Sequence, residues 1–209
     1  RYDVVRWADD FLSQLPAVKA EQERLRSRLL SVPARRRLLE KFRQAPQRTI
    51  FLDYDGTLVS FADRPHEARP PQSLLTLLRT LSQGAGTNVV LISGRDRDTM
   101  EDWFGALDLA LVAEHGAWMK PRGADWRLTK PLNNAWKSAI FPILQTYADR
   151  LPGAFLEEKE YSIVWHYRRA DLELASARVK EMVDDLVSYT ANIDVQVQQG
   201  SRIVEVRCG

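Results

Sequence analysis

The sequence contains one cysteine, Cys208, in 209 residues. A single cysteine excludes an internal disulfide framework, so we expect a reducing, cytoplasmic environment. No apolar run approaches the ~20 residues that span a bilayer, so we expect no membrane segment. The three histidines, His66, His115 and His166, lie too far apart in sequence to predict a zinc site.

Net charge is low overall but unevenly distributed. Residues 1–48 carry 12 Lys/Arg against 6 Asp/Glu, so the remainder of the chain is net acidic. A basic segment could bind nucleic acid. Here the arginines alternate with leucines at helical spacing and no aromatic residues lie among them, which favours a solvated helix face over a nucleic-acid partner.

Alternating strands and helices follow this basic segment. The pattern predicts two helices broken near Val32-Pro33, then strands at 49–53, 88–92 and 109–113 and helices at 72–81 and 96–104. Such alternation is typical of a doubly wound α/β sheet. After Gly116, locally paired strands (117–120 with 126–128, 154–158 with 161–167, 192–198 with 202–206) and helices at 134–150 and 171–188 predict an inserted α+β cap.

Two carboxylates follow the first predicted strand. Residues 50–58 read Ile-Phe-Leu-Asp-Tyr-Asp-Gly-Thr-Leu, which delivers Asp53 and Asp55 to the edge of the sheet. One carboxylate there can attack phosphorus while the other transfers protons. Gly56 permits a sharp turn, and Thr57 offers a hydroxyl and a backbone N–H to a phosphate.

Polar residues also end the next two strands. Ser93 and Gly94 open onto the first turn of a helix, a suitable place for a phosphoryl oxygen. Glu114 follows the third strand. Because ligands of such sheets bind beyond the carboxyl ends of the strands, we expect Asp53, Ser93 and Glu114 to converge on one site.

These motifs resemble those of trehalose-6-phosphate phosphatases in the haloacid dehalogenase-like superfamily. The resemblance rests on Asp-Tyr-Asp-Gly-Thr-Leu, Ile-Ser-Gly-Arg, Ala-Glu-His-Gly and Glu-Glu-Lys…Ser-Ile-Val-Trp-His-Tyr-Arg, and it covers about residues 48–209. Residues 1–13 resemble the C-terminal helix of trehalose-6-phosphate synthases. The chain is therefore expected to be part of a fused synthase–phosphatase, in which residues 20–44 connect the two units.

The resemblance implies roles for individual residues. Asp53 would be the nucleophile that carries an aspartyl phosphate, and Asp55 the general acid and base. Asp53 and Asp55 would also bind one Mg²⁺, a hard cation that offsets the repulsion between carboxylate and phosphate. Thr57, Ser93 and Gly94 would bind phosphate. The residues implied on the sugar side are Arg95, Glu114, His115, Gly116, Glu158 and Lys159.

The family pattern is incomplete within these 209 residues. The lysine of the third motif and the Gly-Asp-Asp type fourth motif do not occur, and Asp184-Asp185 is interpreted as a solvated helix face. We therefore expect a C-terminally incomplete fold that is inactive alone. The alternatives left open are a phosphatase for another sugar, such as sucrose phosphate, and a non-catalytic sugar-phosphate sensor or assembly module attached to a synthase.

The predicted organisation has four parts. Residues 1–46 form a helical connector, residues 47–117 the first part of the phosphatase core, residues 118–200 the cap, and residues 201–209 the return to the core. The expected partners are a small-molecule substrate, trehalose 6-phosphate, and an upstream synthase domain in the same chain, with neither nucleic acid nor membrane.

Overall fold

The computed structural model of the chain describes residues 30–208. The chain divides after Arg48 into two units, and each is described by itself. In the first, helix α1 spans Val32–Gln44, and the Ser31 hydroxyl caps it by accepting from the Ala34 backbone N–H at 3.3 Å. The second of the two helices predicted on either side of Val32-Pro33 is thus confirmed. The first of them and the synthase-like residues 1–13 lie outside the described residues.

A five-stranded sheet has the strand order β1-β2-β3-β4-β5. Its strands are β1 (Arg48–Asp53), β2 (Thr87–Ile92), β3 (Ala110–Ala113), β4 (Trp118–Lys120) and β5 (Arg127–Leu128). Strands β2 and β3 are parallel, whereas β4 is antiparallel to both β3 and β5. Between these strands lie helices α2 (Gln72–Ser82) and α3 (Arg97–Phe104), which confirms the predicted α/β alternation.

The core of this sheet is apolar because its strands and helices bury complementary faces. Leu78 of α2, Leu91 of β2, Phe104 of α3 and Leu111 of β3 are completely buried in one cluster. Fully burying side chains of this size contributes about 1.5–3 kcal/mol each. This packing fixes the strand ends from which the polar residues extend.

A four-stranded antiparallel sheet forms the cap, in the order β6-β7-β9-β8. Its strands are β6 (Phe155–Glu158), β7 (Ser162–His166), β8 (Val195–Gly200) and β9 (Ile203–Cys208). Two helices, α4 (Lys137–Asp149) and α5 (Leu172–Thr190), pack on one face of this sheet.

The two faces of the cap sheet differ in character because successive side chains of a strand point to opposite sides. Trp165, Val204 and Val206 are buried in the cluster with the two helices. Glu157 and Glu205 both pair with Val164 across the sheet, so these two carboxylates share the other face. The cap therefore presents a polar face away from its helices.

The domain limits differ from the predicted ones in two places. Hairpin β4–β5 was placed in the cap, but it extends the core sheet, because β4 pairs with β3 through Ala113 and Trp118. Residues 201–209 were predicted to return to the core, yet β9 lies between β7 and β8 in the cap sheet. The turn of the β8–β9 hairpin is Ser201-Arg202, with Arg202 at φ 63°.

None of the helices within residues 30–208 combines the length and the apolar character needed to cross a membrane.

Candidate active site

Asp53 and Asp55 lie on either side of the end of β1. The chain turns at Gly56, which has φ 84° and whose N–H donates to the Val59 carbonyl at 2.8 Å. The backbone angle favours glycine, and a Cβ at this position would lie 2.7 Å from the ring of Phe61, which would have to move. The Thr57 hydroxyl donates to Asp53 Oδ2 at 2.7 Å. The turn thereby orients the Asp53 carboxylate.

Arg95 holds the carboxylate of Asp55. Its Nε donates to Asp55 Oδ2 at 3.0 Å and its Nη2 to Asp55 Oδ1 at 2.7 Å. The Ser93 hydroxyl donates to Asp55 Oδ2 at 3.4 Å and accepts from the Arg95 backbone N–H at 3.2 Å. Asp55 is therefore fixed by a two-point ion pair and a hydroxyl from the end of β2.

The guanidinium of Arg95 is itself tightly packed. It lies 5.3 Å from the ring centroid of Tyr54 and 4.4 Å from that of Trp103, and Nη1 donates to the Pro65 carbonyl at 2.7 Å. Burial raises the pKa of Tyr54 to about 12, so its hydroxyl stays neutral and donates to the Ala68 carbonyl at 2.7 Å. A buried cation enclosed in this way orients Asp55 rigidly.

The loops after β2 and β3 are joined to each other. The backbone N–H of Glu114 donates to the Arg95 carbonyl at 2.9 Å, and that of His115 donates to the Ser93 carbonyl at 3.2 Å. His115 also lies so close to Gly94 that a Cβ there would stand 2.3 Å from its Nε2. Backbone hydrogen bonds therefore link the ends of β2 and β3 at this edge of the sheet.

A cavity of about 250 Å³ lies where this edge meets the polar face of the cap sheet. From the core it is lined by Asp53, Asp55, Gly94, Arg95 and His115. From the cap it is lined by Glu157, Lys159, His166, Arg168 and Glu205. Carboxylates and cations thus surround the cavity on both sides.

Each of the two cap carboxylates is paired with a histidine. His166 Nε2 lies 2.7 Å from Glu157 Oε2, and its ring stacks on Phe155 at 4.6 Å. His115 Nε2 of the core lies 3.0 Å from Glu205 Oε2. The other oxygen of Glu205, Oε1, is also buried, and a hydrogen bond from Ser162 further lowers the pKa of this carboxyl.

These pairs control the ionisation of both carboxyls. Burial opposes the charged form of Glu157, but the hydrogen bond from His166 and the charge of Lys159 hold its pKa below the ordinary value. Burial likewise opposes ionisation of Glu205, and the hydrogen bond and charge of His115 outweigh it, so that pKa is also lowered. Both carboxylates are therefore available as hydrogen-bond acceptors for a ligand.

The residues predicted for the sugar side have different positions. Arg95, His115 and Lys159 line the cavity. Glu114 and Gly116 line a neighbouring cavity of about 200 Å³ instead. Glu158 lies on the opposite side of β6 from Glu157, where it pairs with Lys137 of α4. Because successive side chains of a strand point to opposite faces, Glu157 and not the predicted Glu158 lines the cavity.

The phosphate-side predictions are placed in two ways. Gly94 lines the cavity. Thr57 and Ser93 do not line it; their hydroxyls instead donate to the carboxylates of Asp53 and Asp55. These hydroxyls therefore orient the two acids in this state of the protein.

Four ionisable cavity residues of the cap were not predicted: Glu157, His166, Arg168 and Glu205. A signal for Glu205 was present, because Val204 and Val206 flank it and a strand with a buried apolar face must turn the residue between them the other way. Arg168 lies over the ring of Phe61 at 5.1 Å, a contact that spacing in sequence does not reveal.

Within residues 30–208, no group of three or more His, Cys, Asp or Glu side chains is arranged to hold a metal ion. Asp53 and Asp55 remain the residues whose oxygens could contribute to such a site.

Comparison with known proteins agrees with this geometry. The sequence profile of the family described as Trehalose-phosphatase matches residues 51–208. A bifunctional trehalose-6-phosphate synthase/phosphatase of Thermoproteus tenax is 39% identical over 210 residues, which cover 98% of this chain and 28% of that protein. A trehalose-phosphatase of Saccharomyces cerevisiae is 34% identical over 205 residues, 96% of this chain and 23% of that protein.

A solved structure shows the same fold. The C-terminal domain of the Candida albicans trehalose-6-phosphate phosphatase superimposes with a TM-score of 0.80 at 33% identity, covering 83% of this chain and 61% of that one. The expected haloacid dehalogenase-like α/β fold is thus confirmed. The chain spans roughly a quarter of the length of these two curated relatives.

Proposed function

The chain belongs to the trehalose-phosphatase family, and we propose that the complete protein hydrolyses trehalose 6-phosphate to trehalose and phosphate. One observation carries the proposal: Asp53 and Asp55 share a single cavity with the carboxylates and cations of the cap. Phosphoryl chemistry and sugar recognition need these two sets of groups on opposite sides of one bound molecule.

In the proposed reaction, a carboxylate oxygen of Asp53 attacks phosphorus, and the bond from phosphorus to the sugar oxygen breaks. Asp55 gives its proton to that oxygen, which releases trehalose and leaves an acyl phosphate on Asp53. Asp55 then takes a proton from water. The water oxygen attacks phosphorus, the bond to Asp53 breaks, and phosphate leaves.

Arg95 affects when Asp55 can act. Both oxygens of Asp55 are bound by Arg95 in this structure, so at least one of these bonds must open before Asp55 reaches the leaving oxygen. A substrate phosphate competes for the same guanidinium, because phosphate and carboxylate suit it equally well. Substrate binding would therefore free the Asp55 carboxylate, which must take up a proton from solvent before it can protonate the leaving oxygen.

The family implies Mg²⁺, and the residues at hand suit a hard cation. The Asp53 carboxylate and the backbone carbonyl of Asp55 would hold it, and Mg²⁺ is commonly bound by one or two carboxylates together with water and phosphate. When bound, it would neutralise charge on the phosphoryl oxygens.

The sugar side rests on the polar face of the cap. Glu157 and Glu205 can accept from sugar hydroxyls, while Lys159 and Arg168 can donate to sugar oxygens. The lowered pKa values of both carboxyls keep them ionised and able to accept these hydrogen bonds.

We further propose an upstream synthase domain in the same polypeptide. The relative from Thermoproteus tenax is named as a bifunctional synthase/phosphatase, and its match covers 98% of this chain, which includes most of residues 1–46. Sequencing the gene upstream of residue 1 tests this proposal, and an open reading frame without a synthase-like domain would contradict it.

Phosphate release by the complete protein, measured with a panel of sugar phosphates, tests the activity. We expect hydrolysis of trehalose 6-phosphate with a much higher kcat/KM than glucose 6-phosphate, which has no second sugar for the two cap carboxylates to bind. The kcat/KM for sucrose 6-phosphate should also be lower, because its second sugar is a fructose of different shape. Comparable rates on all three substrates would contradict the proposed specificity. An absence of turnover on trehalose 6-phosphate would contradict the proposed function.

A further inference from the structure

Glu114 occupies a position at the end of β3 that its conformation makes costly. Glu114 and His115 have φ values of 45° and 53°, in the left-handed region that residues with a Cβ rarely adopt. Such conformations persist where the surrounding contacts determine them, and they cluster at functional sites. The side chain of Glu114 is also 7% exposed, although it is charged.

The carboxylate of Glu114 reaches from the core to the cap. Its Oε2 accepts from the Tyr161 backbone N–H at 2.8 Å, and its Oε1 accepts from the Glu160 backbone N–H at 3.4 Å. Both donors belong to the turn between β6 and β7, which is closed by the Lys159 N–H bonding to the Ser162 carbonyl at 2.9 Å. The two oxygens thus hold two successive amides of one tight turn.

The same turn places Lys159 on the core. Its Nζ donates to the Gly94 carbonyl at 2.9 Å, and the side chain is 9% exposed. Gly94 and Lys159 both line the cavity that contains Asp53. The amino group therefore stands beside the loop that leads from Ser93 to Arg95.

Glu114 is fixed to that loop from the other side. Its backbone N–H donates to the Arg95 carbonyl at 2.9 Å, while its carboxylate binds the turn that carries Lys159. One residue thereby sets the separation between Gly94 and Lys159. It does so without lining the cavity itself.

We propose that Glu114 is a positioning residue. Its carboxylate accepts hydrogen bonds from the 159–161 turn of the cap and so places the Lys159 amino group over the substrate cavity. This replaces direct sugar contact as the role of Glu114, and it rests on the proposed function. Burial raises the pKa of Glu114. The two backbone N–H groups and the charge of Lys159 act in the opposite direction and favour the ionised carboxylate that accepts these hydrogen bonds.

The test compares Glu114→Gln with a matched control in the complete protein. Glu114→Gln keeps the size of the side chain but turns one acceptor into a donor that faces a backbone N–H. The control is Glu160→Gln, because the exposed Glu160 side chain belongs to the same turn and the substitution leaves its backbone donor in place. Kinetic constants are measured with trehalose 6-phosphate and with p-nitrophenyl phosphate, which has no sugar.

We expect Glu114→Gln to lower kcat/KM for trehalose 6-phosphate about tenfold or more, the scale of a lost charge-assisted hydrogen bond. The rate with p-nitrophenyl phosphate should change much less, because Asp53 and Asp55 are untouched. Glu160→Gln should resemble the wild type. Equal losses on both substrates, or equal behaviour of the two variants, would overturn the proposal.

A double-variant comparison separates positioning from general destabilisation. If Glu114 acts through Lys159, adding Glu114→Gln to Lys159→Met should cause little further loss, whereas independent effects would multiply. Multiplying losses would contradict the proposal.

Amide hydrogen exchange gives a readout that does not depend on turnover. The Glu160 and Tyr161 amides should exchange faster in Glu114→Gln than in the wild type. Unchanged exchange of these two amides would contradict the proposed hydrogen bonds to Glu114, even if the enzyme is active. A wild type that does not hydrolyse trehalose 6-phosphate overturns the proposed function while leaving this measurement valid.

Discussion

Arg95 binds Asp55 at both carboxylate oxygens, with Nε to Oδ2 at 3.0 Å and Nη2 to Oδ1 at 2.7 Å. The pair joins the turn after β1 to the loop after β2, and its arginine is 9% exposed in the side chain. Among cationic side chains, only the planar guanidinium of arginine can donate both hydrogen bonds to one carboxylate at once. The orientation of Asp55 therefore depends on this one guanidinium.

The first prediction concerns Arg95→Lys in the complete protein. Lysine keeps the charge but cannot bind both oxygens of Asp55 or stack between Tyr54 and Trp103. We expect kcat for trehalose 6-phosphate to fall roughly 10- to 100-fold, as misplacement of a catalytic group by about 1 Å can cost. Steady-state kinetics measure this, with Arg97→Lys as a control on an exposed ion pair. A variant with wild-type kcat would contradict the claim that the two-point ion pair with Arg95 orients Asp55 for catalysis.

The second prediction concerns stability at acid pH. The pKa of Glu205 is lowered in the folded protein, so its ionisation contributes stability that is present above the ordinary value of 4.5 and is lost as the pH falls through the folded value. The free energy of unfolding should therefore decrease on acidification below about pH 4.5, and Glu205→Gln should make that decrease smaller.

Denaturant unfolding at neutral and acid pH measures this difference. Glu160→Gln controls for the loss of one negative charge, because its side chain is exposed. If Glu205→Gln leaves the pH dependence unchanged, the His115–Glu205 pair does not stabilise the carboxylate.

The third prediction concerns the core of the cap. Trp165 is completely buried, yet its Nε1 has no hydrogen-bond partner within the described part of the chain. Trp165→Ala should lower the free energy of unfolding by about 3–5 kcal/mol. Trp165→Phe should cost clearly less, because it keeps most of the ring and removes the unsatisfied N–H. Thermal or denaturant unfolding compares them, and a Phe variant no more stable than the Ala variant would contradict this prediction.

Local sequence rules predicted most elements of the fold because they act over a few residues. Strand β1 was expected at 49–53 and spans Arg48–Asp53. A short apolar run that ends at two acids favours a buried strand over a helix. Helix α4 begins at Lys137 rather than at residue 134. There the Asn133 side chain accepts from the Ala135 N–H at 2.8 Å, a local turn that competes with helix formation.

The site was predicted on the core side and missed on the cap side for a physical reason. Asp53, Ser93 and Glu114 end successive strands, so topology alone brings them together. Cap residues meet the cavity through a sheet face, where a shift of one residue exchanges Glu157 for Glu158. That His115 would pair with Glu205, 90 positions away in sequence, depends on how cap and core meet and has no local signal.

The most direct test of the central claim is to trap the phosphoryl group. The complete protein is mixed with trehalose 6-phosphate, quenched in acid during turnover and digested, and the peptides are analysed by mass spectrometry. The account predicts a phosphoryl adduct on the Asp53 side chain, absent from Asp53→Asn, which should also lose phosphate release. Turnover that persists in Asp53→Asn, or an adduct on a different residue, would contradict it.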